Sequence, residues 1–473
     1  MADLADSGGV RRLQARWVLT ADLVLLTAAH LGGQDQGAAD LNVIRDRVGG
    51  GPLLPGTSLA GALRGHLCDR LGGYASAEAD PIGTLFGARR ADDGGSQSPL
   101  VVFDSLGRLP TAGTEIRDGV SIDHDTGTAA KGKKFDLEVL PAGTQFPARL
   151  ELLIDDGVDE HELVSLLLAA LQGLADREIA LGARRSRGLG RLEARAWRAH
   201  RYDLSSADGW LAWLCADPAA PIPADVTRHE DPAPACDTAW PTLRRRSTPD
   251  QRERVTVVAR LEVQGGLLVR SPADSADAPD VAHLRSGGVS VLPGTSLAGV
   301  LRARALRILD LLGADGRRDD LIDGLFGWAP QGRAEAGGWS SRLRIAESVI
   351  DGGDPVRQTR IRVDRATQGV ARGALFEEEP QIGGQVVVQL ELRSPQRGET
   401  GLLLLLLKDL LDGDLPVGGS AAVGRGVVRG SAVVTFPDGS TARLEPPEAE
   451  QRARLDAEIR MLAAVAARQE AAR

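Results

Sequence analysis

An internal duplication is the feature that most limits how this chain can fold. The segment LPGTSLAGALR at residues 54–64 returns as LPGTSLAGVLR at residues 292–302, identical at ten of eleven positions and displaced by 238 residues. Other pairs keep nearly the same displacement, among them Phe86 with Phe326 at 240 residues. A repeat of this size predicts two tandem copies of one domain.

The regions between and after the copies differ from them in composition. Residues 217–249 contain seven prolines, which is typical of an irregular connector. Apolar residues recur at helical spacing near the C-terminus and predict an amphipathic helix; they are Leu455, Ile459, Leu462 and Val465. The chain therefore divides into a first domain at 12–201, a Pro-rich linker at 202–251, a second domain at 252–435 and a helical tail at 436–473.

The composition is that of a soluble globular protein, with 42% hydrophobic and 26% charged residues. No run approaches the ~20 apolar residues of a membrane-spanning helix. The N-terminus has Asp3 and Asp6 before its first arginines and does not resemble a signal peptide. We therefore expect a cytoplasmic protein with no membrane partner. Its three cysteines are too scattered for a disulfide framework or a zinc site.

Each copy shows the same order of hydrophobic patterns: strand, helix, strands, helix, strand. In the first copy we predict strands at 17–27, 100–104, 143–154 and 191–197, a helix starting at 55–58 that Thr57 or Ser58 caps, and a helix at 159–175. The second copy repeats the order at 255–263, 295–312, 342–348, 385–392, 401–411 and 426–434. This is the ferredoxin-like plan of an α+β fold.

The charge of the chain gives a mixed indication about nucleic acid. A net charge of −9 argues against a phosphate-rich partner. The local distribution argues for one, because three of the four lysines fall at 131–134 and arginines cluster at 184–191. Aromatic residues make up only 3% of the chain, which leaves little material for stacking bases.

Three segments in a fixed order resemble a known family. They are HLGG at 30–33, the repeated LPGTSLAGxLR, and GARRSRGLG at 182–190, together with an Asp inside a Gly-rich loop. The combination resembles the RAMP superfamily, and more narrowly the family-seven backbone subunits of type III CRISPR effector complexes, here as a double unit. The resemblance covers both copies. It implies two ferredoxin-like (RRM-like) RAMP domains with inserted thumb hairpins, and as partners a guide RNA, a complementary target RNA and other CRISPR effector subunits.

Several motifs suit contact with RNA. The start of each repeated helix presents backbone N–H groups to a phosphate. In the Gly- and Arg-rich segment, glycines allow the backbone to approach a ligand closely, and guanidinium groups can bind phosphate oxygens. The alternatives are an ordinary capped helix and a turn with solvated charges. The resembled family often has a lysine where Ala60 and Ala298 stand. The residues predicted to bind RNA are His30, Thr57, Ser58, Arg64, Lys131, Lys133, Lys134, Arg184, Arg185, Arg187, Gly188, Thr295, Ser296, Arg302, Gly424 and Arg425.

The segments at 122–135 and 363–376 are polar and occupy matching places in the two copies. In the resembled family a β-hairpin thumb leaves the domain here and intercalates into the guide–target duplex. The alternative is a solvated surface loop. The segment at 418–426 keeps the glycines of 182–190 but loses most of its arginines, so we expect the first copy to bind more phosphate charge.

The catalytic prediction rests on Asp40 and Asp280. Asp40 lies fifteen residues before Pro55, where the resembled family carries its target-cleaving aspartate. Asp280 occupies the matching position of the second copy, and Arg285 there corresponds to Arg45. A carboxylate can take the proton of an attacking 2′-hydroxyl or recruit a divalent metal such as Mg²⁺. Asp also caps turns, and four other aspartates compete for the role: Asp35, Asp46, Asp274 and Asp277.

The resemblance implies a backbone subunit that binds guide RNA and cleaves the paired target RNA at two positions, one per domain. Two rival functions remain open. One is a scaffold that binds guide RNA without cutting; the other is a guide-RNA-processing endoribonuclease that uses a histidine such as His30. The second copy has Leu268 where the first has His30, so His30 is more plausible as a positioning or packing residue than as a shared catalyst.

Overall fold

The computed structural model describes residues 12–33, 39–74, 80–88, 97–110, 113–122, 126, 128–271, 278–314, 316–328, 337–444 and 449–467. Two α+β domains follow one another along the chain. No helix within these ranges is long and apolar enough to cross a membrane.

The first domain is built on a four-stranded antiparallel sheet. Its strands lie in the order Leu100–Val102, Gln145–Asp155, Leu13–Leu25 and Leu192–Asp203. The first strand in the chain is thus central, between the third and the fourth, which is the ferredoxin-like order. The helices Gly56–Gly72 and Glu160–Ala175 share one buried apolar cluster with the sheet. The predicted fold of this copy is confirmed.

The second domain repeats this plan with a larger sheet of eight strands. Its equivalent strands are Leu343–Ile345, Gln385–Arg393, Arg254–Val263 and Val428–Thr435, and its two packing helices are Gly294–Leu311 and Glu399–Asp412. The sheet also includes Arg285–Ser286, Val289–Leu292, Ser348–Asp351 and Thr441–Arg443. The tandem ferredoxin-like architecture predicted from the repeat is therefore present in both copies.

Each domain carries a long β-hairpin beside its sheet. The first hairpin pairs Glu115–Ile122 with Ala129–Val139, and the second hairpin pairs Gln358–Val363 with Val370–Glu379. Both lie where the thumb hairpins were predicted, although residues 123–125 and 127 fall outside the described residues. The remaining elements are the strands Leu53–Leu54, Ser105–Leu106, Gly266–Leu267, Arg270–Ser271, Val281–His283, Asp354–Pro355 and Gln381–Ile382, the helices Asp80–Phe86 and Arg318–Phe326, and the short 3₁₀ turns Arg185–Arg187 and Ala421–Val423.

The Pro-rich linker is more ordered than its proline content suggested. It contains the helices Ala207–Leu214 and Pro232–Ala239. Ala235 and Cys236 of the second helix are buried in the core of the first domain. The prediction of an irregular connector over 217–249 was wrong at Pro232–Ala239, because proline at the first turn of a helix is compatible with helical structure.

The predicted tail helix is present as Ala449–Ala466. Leu455, Leu462 and Val465 are buried in the core of the second domain. Gly401 allows the close approach, since a Cβ there would lie 2.3 Å from the carbonyl oxygen of Glu458. The tail is therefore a packed part of the second domain.

Buried polar contacts join the two domains. Arg117 of the first hairpin forms a two-point ion pair with Glu347, with Nη2 3.1 Å from Oε1, and both side chains are buried. The neighbouring Glu115 accepts a hydrogen bond from the backbone N–H of Gly287 at 2.7 Å. Because an ion pair without water around it requires close geometry, these contacts fix one domain against the other.

Candidate functional site

Asp40 lies at the base of the first hairpin. Its Oδ2 accepts a hydrogen bond of 3.0 Å from the backbone N–H of Asp136, and no described residue bonds its other oxygen. The side chain is exposed. The next residue, Leu41, pairs with the hairpin strand through backbone hydrogen bonds to Asp136 and Glu138. The loop thus holds one carboxylate oxygen and leaves the other facing solvent.

Asp280 occupies the same place in the second domain. Its Oδ2 accepts a hydrogen bond of 2.9 Å from the backbone N–H of Glu377, which corresponds to Asp136. Val281 and Ala282 then run parallel to the second hairpin. The carboxylate is exposed. The two aspartates that the repeat spacing paired therefore have the same contact at the same point of the fold.

An arginine–glutamate pair anchors each of these loops. In the first domain Arg45 Nη2 lies 2.5 Å from Glu138 Oε1, while Glu138 Oε2 accepts from the backbone N–H of Val43 at 2.9 Å. In the second domain Arg285 Nη2 lies 3.1 Å from Glu379 Oε1. The correspondence of Arg45 with Arg285 that the sequence indicated thus extends to their partners.

The donor set for a divalent metal is small. Among the described residues, no group of three or more His, Cys, Asp or Glu side chains could hold a metal ion. Asp118 and Asp136 lie beside Asp40, but they share a hydrogen bond that raises the pKa of Asp136. One exposed carboxylate per domain fits Mg²⁺ only in the mode where RNA phosphates and water supply the other ligands.

His30 is buried behind the Asp40 loop. It is 5% exposed, and its Nδ1 lies 2.8 Å from the carbonyl oxygen of Glu138. Its own carbonyl oxygen accepts from the N–H of Ala183 at 2.9 Å, just as Leu268 accepts from Gly419 at 2.7 Å. The alignment of His30 with Leu268 is confirmed, and the surroundings are those of a packing residue.

The two hairpins present cations to solvent. Lys131, Lys133 and Lys134 are exposed on the first hairpin, and Lys134 Nζ lies 3.1 Å from Asp118 Oδ2. The second hairpin exposes three arginines that the sequence reasoning did not select: Arg362, Arg365 and Arg372. Arg365 and Arg372 lie within the segment 363–376, and Arg362 directly precedes it. Arginines in that segment, and not lysines alone, therefore predict phosphate contacts.

The first repeated helix does not start as predicted. Its N-cap is Pro55, and neither Thr57 nor Ser58 caps it; both side chains are exposed. The carboxylate of Asp104 instead accepts from the Gly56 N–H at 2.7 Å. The prediction of a hydroxyl cap was wrong, because the link between the strands Leu100–Val102 and Ser105–Leu106 passes the helix start and provides the acceptor. A phosphate here would compete with that carboxylate.

The second repeated helix starts at Gly294, after Pro293, also without a side-chain cap. Glu347, at the place of Asp104, pairs with Arg117 of the first domain. Thr295 is exposed and Ser296 is half-buried. Further along, Arg302 Nη2 lies 3.4 Å from Asp323 Oδ1, whereas Arg64 Nη2 donates to the carbonyl oxygen of Gly87 at 3.2 Å.

The Gly- and Arg-rich segment of the first domain lies at the junction with the second. Arg187 Nη2 donates to the carbonyl oxygen of Phe326 at 2.6 Å. Burial, with Arg302 and Arg184 nearby, lowers the pKa of Arg187 to about 10. Arg184 lies over the ring of Phe135 at 4.5 Å, and Arg185 is exposed. Of the three predicted phosphate contacts, Arg185 is the most accessible.

The equivalent segment of the second domain has a different environment. A Cβ on Gly188 would lie 2.1 Å from the backbone nitrogen of Glu347, whereas Gly424 faces open space. Arg425 is only 5% exposed and is ion-paired with Glu378 at 2.7 Å. RNA would have to displace Glu378 to reach this guanidinium, so the site predicted at Arg425 is closed in this structure.

Of the four aspartates that compete for the catalytic role, the structure describes only Asp46. Asp46 stabilises the turn at 46–50. Its carboxylate accepts a hydrogen bond from the backbone N–H of Gly49, and its backbone forms further hydrogen bonds within the turn. Asp35, Asp274 and Asp277 lie outside the described residues. Asp40 and Asp280 are therefore the pair for which equivalent positions can be compared.

Comparison with known proteins identifies one family. The model of the RAMP superfamily matches residues 22–193 and 261–429, one match in each domain. No curated protein matches the chain.

Proposed function

The chain belongs to the RAMP superfamily, and we propose that it is a double backbone subunit of a type III CRISPR effector complex that cuts target RNA at two positions. The family implies a CRISPR-associated RNA-binding subunit. The backbone role and the two cleavages are the further content of the proposal.

One observation carries the assignment of two cutting sites. Asp40 and Asp280 accept the same hydrogen bond from the same position of their hairpins, at 3.0 and 2.9 Å. Both are exposed, and each leaves an oxygen unbonded by described residues. A carboxylate held by one oxygen and open at the other is positioned for proton transfer. This arrangement occurs once in each domain.

The proposed chemistry is attack of a 2′-hydroxyl on the adjacent phosphate. The Oδ1 atom of each aspartate takes the hydroxyl proton, and the bond from phosphorus to the 5′-oxygen breaks. The products are a 2′,3′-cyclic phosphate and a 5′-hydroxyl, once a proton from solvent reaches the departing oxygen. The hairpin backbone keeps the carboxylate in place through its N–H group.

A divalent metal belongs to the proposal as a partner of the same carboxylates. Asp40 and Asp280 would each supply one oxygen ligand, and RNA phosphate and water would supply the rest. Bound there, Mg²⁺ would offset the negative charge that develops on the phosphate.

The test uses the effector complex assembled with a guide RNA and an end-labelled complementary target. We expect guide RNA to copurify with the wild-type chain, and Mg²⁺ to support two evenly spaced cuts that EDTA abolishes. The double variant Asp40→Asn with Asp280→Asn should keep the guide and bind target without cutting it. Asn preserves an acceptor oxygen for each backbone N–H, so the loops stay in place.

Other outcomes separate the rival functions. Undiminished cutting by the double variant refutes the catalytic assignment. A wild-type complex that binds target and never cuts would establish the scaffold. Cleavage of repeat RNA that persists in EDTA would point to guide processing, which the burial of His30 at 5% exposure does not favour.

A further inference from the structure

A stacked pair of tryptophans stands on the surface of the second domain. The rings of Trp328 and Trp339 are 5.0 Å apart with an interplanar angle of 29°. The backbones of the two residues exchange hydrogen bonds of 3.0 Å. Trp328 covers part of its partner, yet Trp339 remains 54% exposed. A large aromatic ring this exposed is unusual in a chain with only 3% aromatic residues.

Polar groups surround the exposed ring. Trp339 Nε1 donates to the carbonyl oxygen of Asp323 at 3.0 Å, which holds the indole in a fixed orientation. The carboxylate of the same Asp323 lies 3.4 Å from Arg302 Nη2. A flat apolar surface, a donor and an acceptor are therefore grouped around one residue.

The group lies next to a helix face for which the sequence predicts contact with RNA. Thr295 and Arg302 are seven residues apart in the helix Gly294–Leu311, so they lie on one face about 10 Å apart. Asp323, which contacts both Arg302 and Trp339, connects the aromatic pair to that face.

The sequence of the first domain offers no equivalent of this aromatic pair. Arg64, the counterpart of Arg302, instead donates to the carbonyl oxygen of Gly87 at 3.2 Å. No aromatic residue occurs in the sequence at 88–98, which is the segment that corresponds to the region around the tryptophans.

We propose that Trp339, with Arg302 and Asp323 beside it, binds an unpaired nucleobase of the bound RNA. The base stacks on the indole, and its edge exchanges hydrogen bonds with the guanidinium and the carboxylate. A phosphate is a poorer occupant because Asp323 is negatively charged. The inference rests on the proposed function for its RNA partner, and it gives the second domain a base contact that the first lacks.

The experiment uses the full chain and a single-stranded oligouridine in which one 2-aminopurine is placed at successive positions. With wild-type protein, we expect strong quenching of 2-aminopurine at one position. Trp339→Ala should abolish that quenching and weaken binding by roughly 5- to 150-fold, since stacking on an aromatic side chain contributes about 1–3 kcal/mol per base. Trp339→Phe keeps a ring and should restore most of the affinity.

Trp210→Ala is the matched control, because Trp210 is 41% exposed on the linker helix Ala207–Leu214 and far in sequence from the proposed site. It should leave both readouts unchanged. Equal quenching and affinity in wild type and Trp339→Ala would overturn the base site while leaving RNA binding intact. Failure of the wild type to bind RNA would instead refute the proposed function. Unchanged RNA binding with loss of an effector subunit would make the surface a protein contact and overturn the inference.

Discussion

The loops that carry Asp40 and Asp280 agree between the two domains, whereas the 3₁₀ turns near the junction do not. Each aspartate accepts from its hairpin backbone. In contrast, Gly188 is packed against Glu347 and its counterpart Gly424 faces open space. The turn of the first domain contacts the second domain, whereas no described residue lies within 4 Å of a Cβ placed on Gly424. Position in the tandem thus explains the divergence of the turns, while the agreement of the loops is what the proposal of one cutting site per domain predicts.

The bases of the hairpins show the same contrast. In the first domain Leu137 and Leu189 belong to a small apolar cluster. The corresponding residues of the second domain are Glu378 and Arg425, which form a buried ion pair. The contact at this position is apolar in the first domain and ionic in the second. The duplicated fold therefore accepts either kind of contact next to loops that keep the same hydrogen bond.

The largest effect that tests this comparison is the loss of one cut at a time. Asp40→Asn should slow one cleavage of the target by about 10²–10⁴-fold and leave the other unchanged, because it removes a base from one domain only. Asp280→Asn should do the reverse. Single-turnover cleavage of end-labelled target measures both positions in one lane. Parallel slowing of the two cuts would show that the domains do not act independently.

The next effect compares the charges of the hairpins. Replacing Lys131, Lys133 and Lys134 with Ala should flatten the log–log salt dependence of RNA binding by about two, at roughly 0.7 per phosphate contact. The triple replacement of Arg362, Arg365 and Arg372 should give a similar change. Lys408→Ala is the control, since Lys408 lies on a packing helix beside Asp412. An unchanged slope for either triple would exclude that hairpin from phosphate contact.

The sequence predicted the parts of the molecule that repeat or have regular periodicity. The duplicated LPGTSLAGxLR segment and the alternating apolar strands were sufficient for the ferredoxin-like order, and the equal spacing paired Asp40 with Asp280. The cap of the first helix was not predictable, since its acceptor, Asp104, lies 48 residues further along the chain, in the link between two strands. Arg187 and Arg425 have motif positions that suggest phosphate contact, yet tertiary neighbours bury Arg425 and leave Arg187 half-buried. The charge of a side chain can be read from sequence, but its accessibility depends on what packs around it.

Glycine substitutions test the asymmetry of the junction. Gly188 and Gly424 both have positive φ, at 91° and 81°, so Ala at either costs about 1–2 kcal/mol of backbone strain. Only Gly188 has a backbone nitrogen 2.1 Å from a new Cβ. Gly188→Ala should therefore lower the free energy of unfolding by about 1–3 kcal/mol more than Gly424→Ala. Urea unfolding curves measure the difference, and equal losses would contradict the close packing at the junction.

The smallest effect concerns how firmly the loops that carry Asp40 and Asp280 are held. Glu138 accepts from Arg45, from the N–H of Val43 and from the hydroxyl of Thr114, the last at 2.6 Å. Its counterpart Glu379 accepts from Arg285 at 3.1 Å. A hydrogen bond to a charged group contributes about 1.5–3 kcal/mol, and Gln keeps the shape while removing the charge.

Glu138→Gln should therefore slow the cut that depends on Asp40 by about tenfold, equivalent to about 1.4 kcal/mol, with target affinity unchanged. Glu379→Gln should slow the other cut less, because it weakens a single exposed contact. The cleavage rate at each target position reports how well the corresponding loop is placed. A double-mutant cycle of Arg45→Gln and Glu138→Gln then measures the coupling between these two residues. If the pair acts through the loop, the double variant is no slower than Glu138→Gln alone. A larger effect from Glu379→Gln would reverse the ranking of the two loops and place the tighter constraint in the second domain.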